Sequence, residues 1–288
     1  MGQGHSHAPP DSRRRLAVVL ALTVTVLIVE VVGAVVSGSL ALLADAAHML
    51  TDVAGLSMAL VVAAIVRRPP SDTHTWGLRR AEVLGAAAQA TLLLAVGGFV
   101  LVEAVRRLDE PAEVTGSAML VFGVVGLLGN VVGMTILAAG GREHHDLNMR
   151  AAYLEVVADA LGSVAVIVAA VLVATTGWDR ADPVASLVIV ALIVPRTLHL
   201  LRETTHVLLE ATPRGLALAD VRARLLAHDH VREVHDLHVS SVATGLPTLT
   251  AHLVVDDSCF HDGHLATLLD QLQAALADDF DVAHSTLQ

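Results

Sequence analysis

Six stretches of the chain stay apolar over long distances: about 16–36, 40–66, 83–105, 114–139, 151–176 and 183–201. Each reaches the roughly 17–25 residues that a helix needs to cross the hydrocarbon of a bilayer. Within lipid every backbone polar group must be satisfied internally, which leaves helices or closed barrels, and only helices are this long and continuous. The first run is too long for the core of a signal peptide and is read as a retained span. The pattern changes near residue 208. Residues 216–228 have amphipathic-helix spacing, and 231–241 and 248–255 alternate like strands about a Gly245-Leu246-Pro247 turn signal. Leu265, Leu268, Leu269, Leu272 and Leu276 mark a helix over 263–277, and 282–287 fit a short last strand. The predicted fold is an α-helical integral membrane protein. It has a disordered tail over 1–15, a six-helix transmembrane domain over 16–203, and a small α/β domain of order αββαβ over 208–288.

Composition supports this and narrows the partners. Hydrophobic residues make up 54% of the 288 and charged residues 16%, against about 25% charged in soluble domains. With the N-terminus inside, the inner side holds nine arginines (Arg13, Arg14, Arg15, Arg67, Arg68, Arg79, Arg80, Arg142, Arg150) and the outer loops three (Arg106, Arg107, Arg180). That bias predicts both termini in the cytoplasm of a protein of the cell membrane. The net charge of −11, with much of the acid late in the chain, argues against nucleic acid as a partner. A lone cysteine, Cys259, excludes an intrachain disulfide and a thiolate metal cluster. Gly123, Gly126, Gly129 and Gly133 in the fourth run predict close helix approach, and Asn130 and Gln89 are candidates to bridge helices.

The polar exceptions inside the runs carry the chemistry. The second run holds Asp45, His48 and Asp52, and the fifth holds Glu155 and Asp159. Residues four apart lie on one helix face, so His48/Asp52 and Glu155/Asp159 form two such pairs. An ionisable group in a span costs about 2.5–3.5 kcal/mol even on a lenient scale, and such groups face the bundle interior and mark ion or proton paths. The alternative is a buried hydrogen-bond network between helices. One imidazole and three carboxylates suit Zn²⁺, Co²⁺ or similar ions rather than thiophilic metals. Binding needs neutral His48 and ionised carboxylates, so loading releases protons and protonation expels metal. No HExxH motif lies in any span, so a hydrolase is not expected.

Five segments together resemble the cation diffusion facilitator family of proton-coupled metal exporters. They are SGSLALLADAAHMLTDVAGL (37–56), RRAEVLGA (79–86), AAYLEVVADALGSVAVI (151–167), GWDRADPVAS (177–186) and VHDLHV (234–239). The resemblance implies a transporter rather than an enzyme: a homodimeric Zn²⁺/proton antiporter with a metallochaperone-like cytoplasmic domain through which two copies associate. It implies a transport site of His48, Asp52, Glu155 and Asp159, with Asp45 as support or proton path, or as a helix-packing hydrogen bond. His235, His252, His264 and His284 match positions that hold metal in the C-terminal domain, where Zn²⁺ would be a structural ion. His238 is an extra candidate, three residues after His235, and sharing an ion with it needs a bend in the strand. Arg80 and Glu210 match a charge pair that joins the two domains. Glu155 departs from the histidine usual in zinc members, which leaves open an exporter preferring Mn²⁺, Co²⁺ or Fe²⁺. A non-transporting membrane metal sensor is the other alternative.

Overall fold

The computed structural model describes residues 10–65, 71–138, 147–243, 245–261, 263–282 and 284–288. Six long helices come first: α1 (Pro10–Ser37), α2 (Leu40–Ile65), α3 (Arg80–Asp109), α4 (Gly116–Ala138), α5 (Leu147–Thr176) and α6 (Ala181–Leu208). Then follow α7 (Leu218–Leu226), β1 (Val231–Ala243), β2 (Leu246–Val255), α8 (Ser258–His261), α9 (Leu265–Phe280) and β3 (His284–Leu287). The chain divides into two compact units, Met1–Leu60 with Ala88–His199 and Val61–Ala87 with Leu200–Gln288.

Five of the six long helices contain stretches long and apolar enough to cross a membrane, and α2 contributes the apolar segment Leu40–Thr51. Their outer faces carry exposed Ile28, Val35, Phe99, Val102, Val121 and Leu128. In water such faces would form large hydrophobic patches; against lipid tails they are matched to their solvent. Several helices outrun their apolar runs. α1 begins at Pro10, a residue suited to the first helical position, and the earlier tail lies outside the described residues. α6 continues through Arg202, Glu203 and His206 to Leu208.

The small residues of α4 set the helix spacing. A Cβ on Gly126 would collide with the Glu30 carboxylate of α1, and one on Gly129 with Val26. One on Gly33 of α1 would strike Phe122 of α4. Gln89 of α3 donates to the Thr51 carbonyl of α2, and Asn130 of α4 donates to Ser163 of α5 at 3.3 Å. The α1–α2 turn runs through Gly38, whose φ of 72° favours glycine. The first turn of α2 is capped from a distance by Asp182 of α6, which is fully buried. It accepts from the Ser39 hydroxyl at 2.5 Å and from the backbone N–H groups of Leu40 and Ala41 at 2.9 and 3.2 Å. A carboxylate at a helix N-terminus satisfies orphan donors and meets the positive end of the dipole.

The C-terminal domain has a three-stranded sheet of order β1-β2-β3, with β1/β2 antiparallel and β2/β3 parallel. Val221 and Leu225 of α7 and Leu268, Leu272 and Leu276 of α9 pack with Leu249 of β2 in one core. The hairpin turn is tighter than the Gly245-Leu246-Pro247 signal suggests. Leu246 and Pro247 already belong to β2, paired with Ala243 and Ser241, and Pro247 sits near the strand start where its missing N–H is tolerated. The short α8 was not signalled by the sequence pattern.

Candidate metal sites

The deeper site lies between α2 and α5. His48 and Asp159 are each 8% exposed, and His48 Nε2 lies 2.9 Å from Asp159 Oδ1. One turn earlier on α2, Asp45 accepts from the Ser163 hydroxyl of α5 at 3.3 Å. The pairings 45/163 and 48/159 run in opposite directions, so the two helices are antiparallel here. One further turn along this ladder, the opposed backbone positions are Asp52 on α2 and Glu155 on α5. The side chains of Asp52 and Glu155 lie outside the described residues.

Local bonds hold that half in place. The Thr51 hydroxyl donates to the His48 carbonyl at 2.6 Å. Asn130, Ser163 and Asp45 form a chain of hydrogen bonds from α4 through α5 to α2. Gly162 leaves room for Asp45: a Cβ there would sit 3.0 Å from its Oδ1. Asp45, His48, Asp159 and Gly162 line one side of a cavity of about 40 Å³; Ile189, Leu192, Ile193 and Arg196 of α6 line the other. The space is enough for about two or three waters. Two groups here were not picked out in the sequence. Arg196 is one, and Glu30 of α1, 1% exposed, is the other; neither Glu30 oxygen has a hydrogen-bond partner among the described residues. The signal for both was present, an ionisable residue inside an apolar run.

The second site is on the outer face of the sheet. His235, Asp236 and His252 bring potential ligand atoms within 4.8 Å of one another. Asp236 Oδ2 is 3.2 Å from His235 Nδ1 and 3.3 Å from His252 Nδ1. The hydrogen bond with His235 holds the Asp236 carboxyl below its ordinary range, against an upward push from desolvation. The charges of His235, His252 and His238 add to the lowering. The strand bend that His238 requires is present. Asp236 has φ 48°, and the register shifts so that His235 faces His252 while His238 faces Thr250. This bulge sets two β1 residues, Asp236 and Leu237, against one of β2, Ala251, so His235 and His238 share the exposed face, and His238 lines the same depression as Asp236 and His252.

The other two histidines stand apart within one copy of the chain. His284 pairs with Thr248, four residues along β2 from His252, or about 13 Å, and its ring meets Trp76 edge-on at 5.1 Å. His264 packs its ring against His230 at 5.1 Å. Arg80 Nη2 and Glu210 Oε1 are brought together at 2.8 Å, both well exposed.

Residues 16–209 match the family model of the cation efflux transmembrane domain, and residues 213–288 that of the cation efflux protein, cytoplasmic domain. Among known proteins, the cation efflux system protein CzcD of Alcaligenes sp. is 42% identical, aligned over 100% of this chain and 90% of its own. The zinc transporter ZitB of Escherichia coli is 40% identical over 98% of this chain and 89% of its own. The cadmium, cobalt and zinc/H(+)-K(+) antiporter of Bacillus velezensis is 33% identical over 100% and 91%.

Proposed function

The chain belongs to the cation efflux family, and on that premise we propose that it is a proton-coupled antiporter exporting Zn²⁺ from the cytoplasm, a transporter and not an enzyme. The observation that carries this reading is the buried His48–Asp159 contact between α2 and α5. When His48 is protonated, its ring and the Asp159 carboxylate form an ion pair. When a divalent cation arrives, the same two atoms become ligands and the proton leaves. Two ligands of a tetrahedral zinc ion sit about 3.3 Å apart, from bonds of about 2.0–2.1 Å, close to the 2.9 Å separation found here. The exchange of proton for metal therefore needs only a small movement of either side chain. Asp52 and Glu155 complete the four-ligand set one turn along, and Asp45 supports it through Ser163 and Asn130.

The protein acts as a homodimer in the cell membrane with both termini in the cytoplasm, joined through the C-terminal domain. The cluster His235–Asp236–His252 takes a structural Zn²⁺ there, and His264 and His284 contribute to metal binding where two copies meet. Arg80 and Glu210 tie the membrane helices to that domain. Glu155 favours a second reading, a broader exporter that also takes Mn²⁺, Co²⁺ or Fe²⁺, because a carboxylate replaces a softer imidazole. The deciding measurement is transport into proteoliposomes across Zn²⁺, Cd²⁺, Co²⁺, Mn²⁺ and Fe²⁺ with internal pH recorded. Zinc flux accompanied by opposite proton flux is expected. Metal movement with no pH change would remove the antiport, and no movement of any metal would favour a sensor.

A further inference from the structure

The transport cavity has one charged wall that the ligand set does not account for. α6 lines it with Ile189, Leu192, Ile193 and Arg196. Three of these are apolar, and Arg196 is the one arginine lining the cavity among the described residues. A guanidinium stays charged at any pH the protein meets, so the wall facing His48, Asp45 and Asp159 carries a permanent positive charge. Such a charge offsets the carboxylates when no metal is bound, but it repels a divalent cation seated among them. In a small cavity walled by buried helices that repulsion is weakly screened.

The helix is also built to let this residue shift. Pro195 precedes it inside α6, and a proline there removes one helical hydrogen bond and loosens the turn. The Thr197 hydroxyl donates to the Ile193 carbonyl at 3.0 Å, an added bond that supports the helix beside the break.

We propose that Arg196 sets the affinity of the transport site, weakening the hold on a divalent cation so that the ion is released fast enough for turnover. This rests on the reading of His48 and Asp159 as ligands. The test is zinc transport by full-length protein in proteoliposomes, with zinc affinity measured by calorimetry on the same detergent-purified variants. Arg196→Met should lower KM by about threefold or more, tighten equilibrium zinc binding in parallel, and lower the maximal rate, because release becomes slower. Arg196→Lys, which keeps the charge, should restore all three. Arg196→Gln repeats the neutralisation should the methionine variant fold poorly. An unchanged or raised KM in both neutral variants overturns the proposal, since a guanidinium that merely braces a ligand would weaken binding when lost. A lysine variant that behaves like methionine overturns it too. Asp159→Ala tells the two readings apart: normal transport in that variant removes the site itself, whereas its loss beside an unaltered Arg196→Met removes only the role of Arg196.

Discussion

The two candidate metal sites use the same donor chemistry in opposite surroundings. His48 and Asp159 are almost sealed between α2 and α5, while His235, Asp236 and His252 stand on an open sheet face with side chains 45–64% exposed. A buried imidazole–carboxylate pair is costly to desolvate and strongly sensitive to any charge added or removed. It suits a site whose occupancy must change sharply with each proton. An exposed cluster is cheap to form and has no wall to hold an ion from the far side. It suits a site that a second surface completes.

That contrast fails most plainly if the buried pair is dispensable. His48→Ala or Asp159→Ala should reduce zinc flux by about a hundredfold or more, while His252→Ala should abolish zinc binding to the sheet face and leave flux in the range of the unaltered protein. Equal losses in both, read by proteoliposome transport and by metal content after dialysis, would erase the distinction. Next in size is Glu155→His, which should shift preference toward zinc over manganese by about tenfold, read in the same transport panel.

Acidity should separate the sites more gently. Asp236 has its carboxyl held below the ordinary range, chiefly by its hydrogen bond with His235, so it stays ionised on acidification through the ordinary aspartate range. Zinc, which imidazoles hold only in their neutral form, should leave the sheet face on acidification. The stability that the Asp236 carboxylate contributes through its hydrogen bond with His235 is present above the ordinary aspartate range and is lost as pH falls through the lowered value. Zinc content measured against pH checks the release, and an NMR titration of the Asp236 carboxyl checks its direction; a midpoint at or above the ordinary aspartate value would contradict it. The smallest effect belongs to Arg80→Ala. Its partner Glu210 is exposed, so thermal unfolding should change by no more than about 1 kcal/mol, and a larger loss would show that this pair does more than register two surfaces.

The fold was legible where one solvent decides the pattern. Lipid-spanning runs and the leucines of α9 announce themselves because burial or hydrocarbon demands apolar side chains at fixed intervals. Helix ends were less legible: α6 passes through Arg202, Glu203 and His206, since a helix can leave hydrocarbon and keep its hydrogen bonds. The Gly245 turn was placed, but Pro247 misled because proline also fits the start of a strand. In the site, periodicity exposed His48 and Asp159 because they recur with acids at helical spacing. Glu30 and Arg196 are single polar residues on other helices, and only packing shows that one sits against Gly126 and the other across the cavity. The bulge at Asp236 depends on a backbone angle, which an Asp in a strand pattern does not declare.

Asp182 has a mechanical consequence. One carboxylate fastens the start of α2 to the start of α6 through three donors, and it is wholly enclosed. Parting the two helices at that end would strand a bare negative charge and three donors away from water. The junction therefore behaves as a pin: α2 can pivot about it but not slide past α6, and the swing grows along the helix from Asp45 through His48 toward Asp52.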